Sequence, residues 1–323
     1  MSRHGSPIFV LCSLLLGLAG AGGCRWFGHQ RYASGPLPPP AFSETPQLDT
    51  VMAAVNENSR RVRQLQAEGA SLGIEGVPAT LQADLAVERP HRFRLTARIS
   101  GFTGRELDIG SNDELFWLWI RRNPRPAVFY APHSRFPHSA ASQFVAVDPV
   151  WLIEALGLAE FDPQGRHEGP FPAGEGRLEV RSVLSKPDGP WTRVMIVDDR
   201  YAWILEQHLY NAGGRLVASV YADQFRYDPD AQVSLPRSIR LQLGPGQPGQ
   251  LALRLNIPSY AINQIMGDAE QLWSMPTYEE APPVDITSPG FRPQMIAPAP
   301  QTVPPRLQWE RQLARPPGAP VYR

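Results

Sequence analysis

The sequence predicts a mainly β protein of the α+β class: a large curved antiparallel sheet forming an unclosed half-barrel with two covering helices. Three observations predict it. Many closely spaced segments alternate apolar and polar side chains with period two, as a sheet with one buried and one wet face requires. Helical patterning is missing between most of these segments, which favours hairpins over a parallel sheet with crossover helices. Two helical stretches stand apart, one ahead of the strands and one midway along them.

The chain opens with a short basic start, Met1-Ser2-Arg3-His4, followed by an apolar run from Ile8 to Leu18. Such a run suits the core of a signal peptide and is short of the ~20 residues that a membrane-crossing helix needs. Small residues follow, and Ala21-Gly22-Gly23-Cys24 resembles the lipobox of bacterial lipoproteins. The resemblance implies removal of residues 1–23, lipid on the Cys24 thiol and an acylated new N-terminus. Two or three acyl chains hold a protein on a membrane stably, where one does not. Ala21 stands where Leu is more usual, and an ordinary signal peptide with a bystander cysteine is the alternative. In that class an Asp after the cysteine implies inner-membrane retention in many proteobacteria. The residue here is Arg25, which points to the periplasmic face of the outer membrane.

Residues 24–46 carry Gly35-Pro36-Leu37-Pro38-Pro39-Pro40 and read as a Pro-rich spacer. From Gln47 to about Glu68, Leu48, Val51, Met52, Val55, Val62 and Leu65 repeat at helical spacing. Asn56, Glu57, Ser59, Arg60 and Arg63 take the other face, and Gly69 ends the helix. Strands are then expected over Ala79–Glu88 and from Phe93 to Ile99, turning at Arg89-Pro90-His91. Further strands follow over Arg105–Gly110, Leu115–Ile120 and Ala127–Tyr130. Leu115-Phe116-Trp117-Leu118-Trp119-Ile120 is apolar throughout, so both its faces are expected to be covered.

A second short helix is expected over residues 148–158, capped by Asp148, started by Pro149 and ended by Gly157. Six more strands are read between Arg177 and Ile257, with Asn211-Ala212-Gly213-Gly214 as a turn. About ten to twelve strands and two helices are expected in residues 47 to ~265. The folded domain is placed at 47–275, and a Pro-rich tail, expected to be disordered, at 276–323.

This order of elements resembles the LolA/LolB-like superfamily of lipoprotein carriers and receptors. The opening helix leading into Leu81-Gln82-Ala83-Asp84-Leu85 carries the likeness. So does Leu235-Pro236-Arg237-Ser238-Ile239-Arg240-Leu241, with Leu255-Asn256-Ile257-Pro258-Ser259-Tyr260 after it. It extends over residues 47–263 and rests on element order with weak local motifs. It implies an apolar concave face under a helical lid, holding acyl chains or other amphiphiles. Expected lining residues are Leu81, Leu85, Phe93, Leu95, Trp117, Trp119, Phe129, Trp151, Ile204 and Leu253. Plain core packing is the competing reading for each.

Chemistry bounds the rest. Cys12 and Cys24 are the only cysteines, so the processed chain keeps no free thiol and no disulfide. Basic and acidic residues balance at 31 each, which gives no electrostatic case for nucleic acid. No P-loop or His-Glu-x-x-His pattern occurs. His133 and His138 lack a companion ligand nearby, and Asp198-Asp199 and Glu279-Glu280 read as solvated turns. Arg121, Arg122 and Arg125 form a small basic cluster, read as an exposed turn. No enzyme, metal or cofactor is expected. The expected partners are a membrane through the lipid anchor, a lipid or acyl-chain ligand and other lipoproteins. A scaffolding lipoprotein, binding proteins through its sheet and Pro-rich tail, is the second reading.

Overall fold

A computed structural model describes residues 33, 35–99, 104–143, 149–245 and 250–291. The signal segment, Cys12, Cys24 and Asp148 lie outside the described residues. The chain enters helix α1 (Leu48–Arg60) and then strands β1 (Gln64–Ile74), β2 (Leu81–Glu88), β3 (Arg92–Arg98), β4 (Arg105–Ser111), β5 (Leu115–Ile120) and β6 (Val128–Pro132). Helix α2 (Pro149–Ile153) continues into a wider π turn at Glu154–Leu158. Strands β7 (Arg166–Pro172), β8 (Arg177–Lys186), β9 (Gly189–Asp198), β10 (Ile204–Tyr210) and β11 (Leu216–Asp223) follow. A small hairpin, β12 (Arg226–Asp228) and β13 (Val233–Leu235), precedes β14 (Ser238–Leu243), β15 (Leu251–Asn256) and β16 (Ala261–Ile262). Helix α3 (Ala269–Trp273) and strand β17 (Pro283–Asp285) complete it.

The main sheet has 15 strands in the order β17-β6-β5-β4-β3-β2-β1-β15-β14-β11-β10-β9-β8-β7, with β16 paired to the first part of β1. The two edge strands, β17 and β7, do not pair, so the sheet curls without closing. All its ladders are antiparallel except the edge pair β17–β6, which is parallel. That strand departs from the all-antiparallel expectation because the chain reaches β6 from across the sheet rather than through a hairpin.

Cross-strand register fixes one continuous inner face. Leu107, Ala97, Ala83 and Ala70 stand opposite one another across β4, β3, β2 and β1. Leu72, Leu255, Ile239 and Ala222 carry the face across β1, β15, β14 and β11. Gln207, Met195 and Val180 bring it to β8. Helix α1, the 149–158 segment and the β12–β13 hairpin pack on this face, and their apolar residues join two buried clusters with it. Burying this much apolar surface is what holds the curl together.

The opening helix is shorter than its apolar spacing predicts. It ends at Arg60, and residues 64–74 form a long central strand. Val62 and Leu65 continue a helical spacing by chance, whereas Leu65 and Ala67, then Ala70 and Leu72, alternate as strand residues across a bulge. Gly69 sits in that bulge at φ +66°, and its N–H donates to the Asp84 side chain at 3.0 Å. Asn56 and Ser59, expected on the wet face of α1, are buried. The Asn56 amide exchanges hydrogen bonds with Phe161 backbone, at 2.8 and 2.7 Å, and Ser59 Oγ donates to the Ala159 carbonyl at 2.7 Å. Glu160, between them, accepts from Arg60 and Arg89.

Residues 263–291, placed partly in the tail by the sequence, cross the outer face of β3–β6 as a strap. Arg94 on β3 donates to the carbonyls of Gln271 and Leu272 in α3, and Tyr278 stacks on Trp119. The strap then pairs with β6 as β17, and Ile286 and Phe291 pack with Phe116, Phe129 and Phe136. The strap thus covers the outer face of β5, whereas Leu118 and Ile120 on its inner face stay half-buried, so the cover that its unbroken apolar sequence predicts is complete on one face only.

Candidate functional site

The inner face is not covered evenly. Over β8–β11 it lies under α1 and the 149–158 segment. Two buried polar side chains of the sheet tie that segment down. Arg193 donates to the Glu154 carboxylate at 3.0 Å and to the Glu160 carbonyl at 2.7 Å, and Gln207 donates to the Glu154 carbonyl at 3.1 Å. Arg193 and Gln207 interrupt otherwise apolar strands at inward positions, a signal the sequence carried and the reading missed. The segment turns away at Gly157, φ +87°, where an added Cβ would lie 2.8 Å from Pro236.

Over β3–β5, and along one end of the sheet, the inner face keeps apolar surface in contact with solvent. Ile99, Ile109, Leu118 and Ile120 are half-buried there. The same end carries Ile74, Leu184, Trp191, Leu243 and Leu253, also half-buried, together with Leu152 of α2. Val77 and Leu251 stand at its margin, 40% and 38% exposed. Together they form a half-exposed apolar stretch, termed the trough below, packed against the buried strip beneath.

The expected lining residues divide three ways. Leu81, Leu85, Phe93, Leu95, Phe129, Ile204 and Leu253 project from the inner face, and Trp151 packs onto it from α2. Only Leu253 among these is in the half-exposed part; the others are buried by the chain itself. Trp117 and Trp119 lie on the outer face, beneath the strap with Tyr278 and Ala281. The cause is parity: Leu118, their neighbour, pairs with the inward Ile109 and Phe129, so positions 117 and 119 must point the other way.

Other candidates resolve differently. Asp198 is fully buried, not solvated; its Oδ1 accepts from the backbone N–H groups of Arg200 at 2.9 Å and Tyr201 at 2.7 Å, which fixes the β9–β10 turn. His133 Nε2 lies 2.9 Å from the Asn112 carbonyl, a structural contact. Arg121 and Arg122 face Glu106. An open groove of ≈ 660 Å³ on the outer face is lined by Arg177, Arg181, Glu206, His208 and Tyr210 among others. His208 there bridges Ser219 Oγ, 3.0 Å from Nδ1, and Glu206, 3.0 Å from Nε2. The His208 hydrogen bond, helped by Arg177, holds the Glu206 carboxyl below its ordinary pKa. Ser219 is fully buried, so this line offers no nucleophile to a substrate. Among the described residues no cluster of three metal-ligating side chains occurs, and no helix is long and apolar enough to cross a membrane.

An unclosed half-barrel with an apolar inner face is the class that these features define. No family profile matches the chain, and no curated protein matches it in sequence. Solved structures do resemble it. A putative outer membrane lipoprotein-sorting protein domain from Vibrio parahaemolyticus aligns with 68% of this chain and 95% of its own length, at 10% identity and a TM-score of 0.46. A LolA superfamily protein from Nitrosomonas europaea aligns with 69% of this chain and 97% of its own length, at 9% identity and a TM-score of 0.42. A DUF1329 family protein from Desulfovibrio piger aligns with 69% and 95%, at 11% identity and 0.43. Likenesses of this size transfer neither ligand nor partner.

Proposed function

We propose that the protein is a membrane-anchored envelope lipoprotein that takes an acyl chain of a lipid or lipoprotein into the trough of its inner face. The observation that carries the reading is the half-exposed apolar ring of Ile74, Ile99, Ile120, Leu243 and Leu253, continuous with the apolar strip below it. Scattered surface apolar residues are ordinary, whereas a contiguous concave set bounded by a polar exterior marks a ligand groove. The outer surface of the sheet carries ion pairs such as Asp84–Arg98 and Arg177–Glu206, in contrast to this apolar stretch of the inner face.

The anchor reading rests on Ala21-Gly22-Gly23-Cys24. Metabolic labelling with a palmitate analogue should mark the wild-type chain and leave Cys24→Ala unlabelled; label retained in that variant refutes the anchor. The ligand reading is tested with the chain from Cys24 onward, extracted free of lipid and titrated with a fluorescent fatty acid. Saturable uptake at micromolar probe, displaced by unlabelled fatty acid, is expected. A chain that takes up no probe sinks the reading.

A further inference from the structure

We propose that the lipid anchor and the apolar trough lie at opposite ends of the half-barrel. The trough then opens away from the membrane that holds Cys24 and receives its acyl chain from the aqueous side. This rests on the acyl-chain and anchor readings above, and it adds the direction from which the ligand comes.

The spacer does not leave the domain freely. Ala33 pairs with Phe225 in a parallel bridge. Ala33 and Leu37 pack on an aromatic stack, Tyr201 against Trp203 at 4.7 Å and Trp203 against Phe225 at 4.9 Å. The N–H groups of Ala41 and Phe42 both donate to the Arg200 carbonyl, at 2.7 and 3.2 Å. Every one of these contacts is made at the end of the sheet where β9 turns into β10.

The trough's rim is at the other end. Trp191 stands near the start of β9, whereas Tyr201 follows its last residue. At about 3.3 Å per residue, the strand sets the two ends roughly 30 Å apart. Cys24 precedes Ala33 by nine residues (33 − 24), which reach at most about 30 Å when fully extended. Turning the rim toward the anchoring bilayer would need that tether at nearly full stretch along the whole body. At any shorter reach, the tether holds the β9–β10 end near the headgroups and the rim in water.

The test couples the chain from Cys24 onward, through that thiol, to vesicles bearing a thiol-reactive headgroup. A fluorescent amino acid replaces either Arg63 or Val77, exposed residues flanking the two ends of β1. Energy transfer to a headgroup acceptor should be several-fold stronger from position 63. Inserting a flexible stretch of about 20 Gly and Ser residues after Cys24 should shrink that difference. Equal transfer from both sites with the natural tether, or stronger transfer from position 77, overturns the proposal. A second arm places fluorescent fatty acid in solution, in facing vesicles or in the anchoring vesicle. Uptake should be several-fold faster from the first two, and preferential uptake from the anchoring vesicle overturns the proposal. If the free chain binds no fatty acid at all, the ligand reading fails while the label geometry still reports the orientation.

Discussion

Trp119 and Tyr278 stack across the outer face of the sheet, their ring centroids 3.9 Å apart and their planes 14° from parallel. Tyr278 Oη also donates to Asp108 at 3.0 Å. Burial, reinforced by the Asp108 charge, pushes the Tyr278 hydroxyl up to about 12, so it stays protonated and donating at neutral pH. Tyr278→Ala removes both contacts. It should cost about 2 kcal/mol, less than a fully buried aromatic because the ring is only half-buried. The strap should then open, which chymotrypsin reports as faster cleavage at Trp273. Tyr278→Phe keeps the stack and should cost only about 1 kcal/mol in urea denaturation.

Asp108 is the centre of this network. Fully buried, it accepts from Arg94 at 2.8 Å and from the Trp117 indole at 3.1 Å as well. Asp108→Ala would strand the buried Arg94 guanidinium, and losing one partner of a buried pair costs about 3–5 kcal/mol. Arg94→Met with Asp108→Leu should cost less than Asp108→Ala alone, since no buried charge is left unpaired. Denaturation midpoints of the two variants decide this; an equal loss would mean the pair itself adds stability.

Gly110 makes room for that indole. A Cβ built on Gly110 would lie 2.1 Å from Trp117 Cζ2, so the ring covers the glycine on the neighbouring strand. Gly110→Ala should displace Trp117, break its bond to Asp108 and destabilise by roughly 2–3 kcal/mol. Trp117 fluorescence should shift red in the folded state, and an unshifted spectrum would show that the ring does not depend on this gap.

Acid should loosen the end of α1. Burial raises the Glu160 pKa, but hydrogen bonds from Arg89 and Arg60 outweigh it and hold the carboxyl below its ordinary 4.5. A carboxylate with a lowered folded pKa contributes stability that is complete above its unfolded value. That contribution is lost as pH falls below 4.5 and through the folded value. Glu160→Gln should therefore lower stability at pH 7 and flatten its decline below pH 4.5, measured by urea titration across that range. An unchanged slope would exclude Glu160 as a contributor to acid unfolding.

The sheet was legible in the sequence because period two is imposed on every strand with one wet face. Val87 and Phe93, or Leu85 and Leu95, announce both their strands and their shared face. Residues 64–74 were misread because Val62 and Leu65 continue the α1 spacing, and only the long-range pairing with β2 and β15 makes a strand there. The side of Trp117 and Trp119 was not legible either. In an unbroken apolar run no polar residue marks the face, and the strap that covers them comes from residues about 160 further along, at Tyr278. Proline content hid that strap: Pro283 opens β17, where the edge position tolerates a residue without a donor.

The proposed acyl-chain trough offers the most direct test of function. Leu251 and Ile120 lie on opposite sides of it, one on β15 and the other on β5, with Leu251 38% exposed and Ile120 half-buried. Neither holds up the buried strip alone, so Leu251→Glu should change the unfolding midpoint little, within about 0.5 kcal/mol. Ile120→Glu should cost more, because part of its side chain packs in the core. For an acyl chain entering along this rim, a carboxylate in either position meets methylenes in place of water, and each buried CH₂ forgone is worth about 0.8 kcal/mol. Two such groups lost correspond to a fall in fatty-acid affinity of more than tenfold. Lys in place of Leu251 should weaken binding less, since its long stem can lie along the trough with its charge in water. The order wild type, Leu251→Lys, Leu251→Glu in probe affinity, at near-constant stability, is the expected result. Equal affinity in all three would place the ligand elsewhere on the molecule.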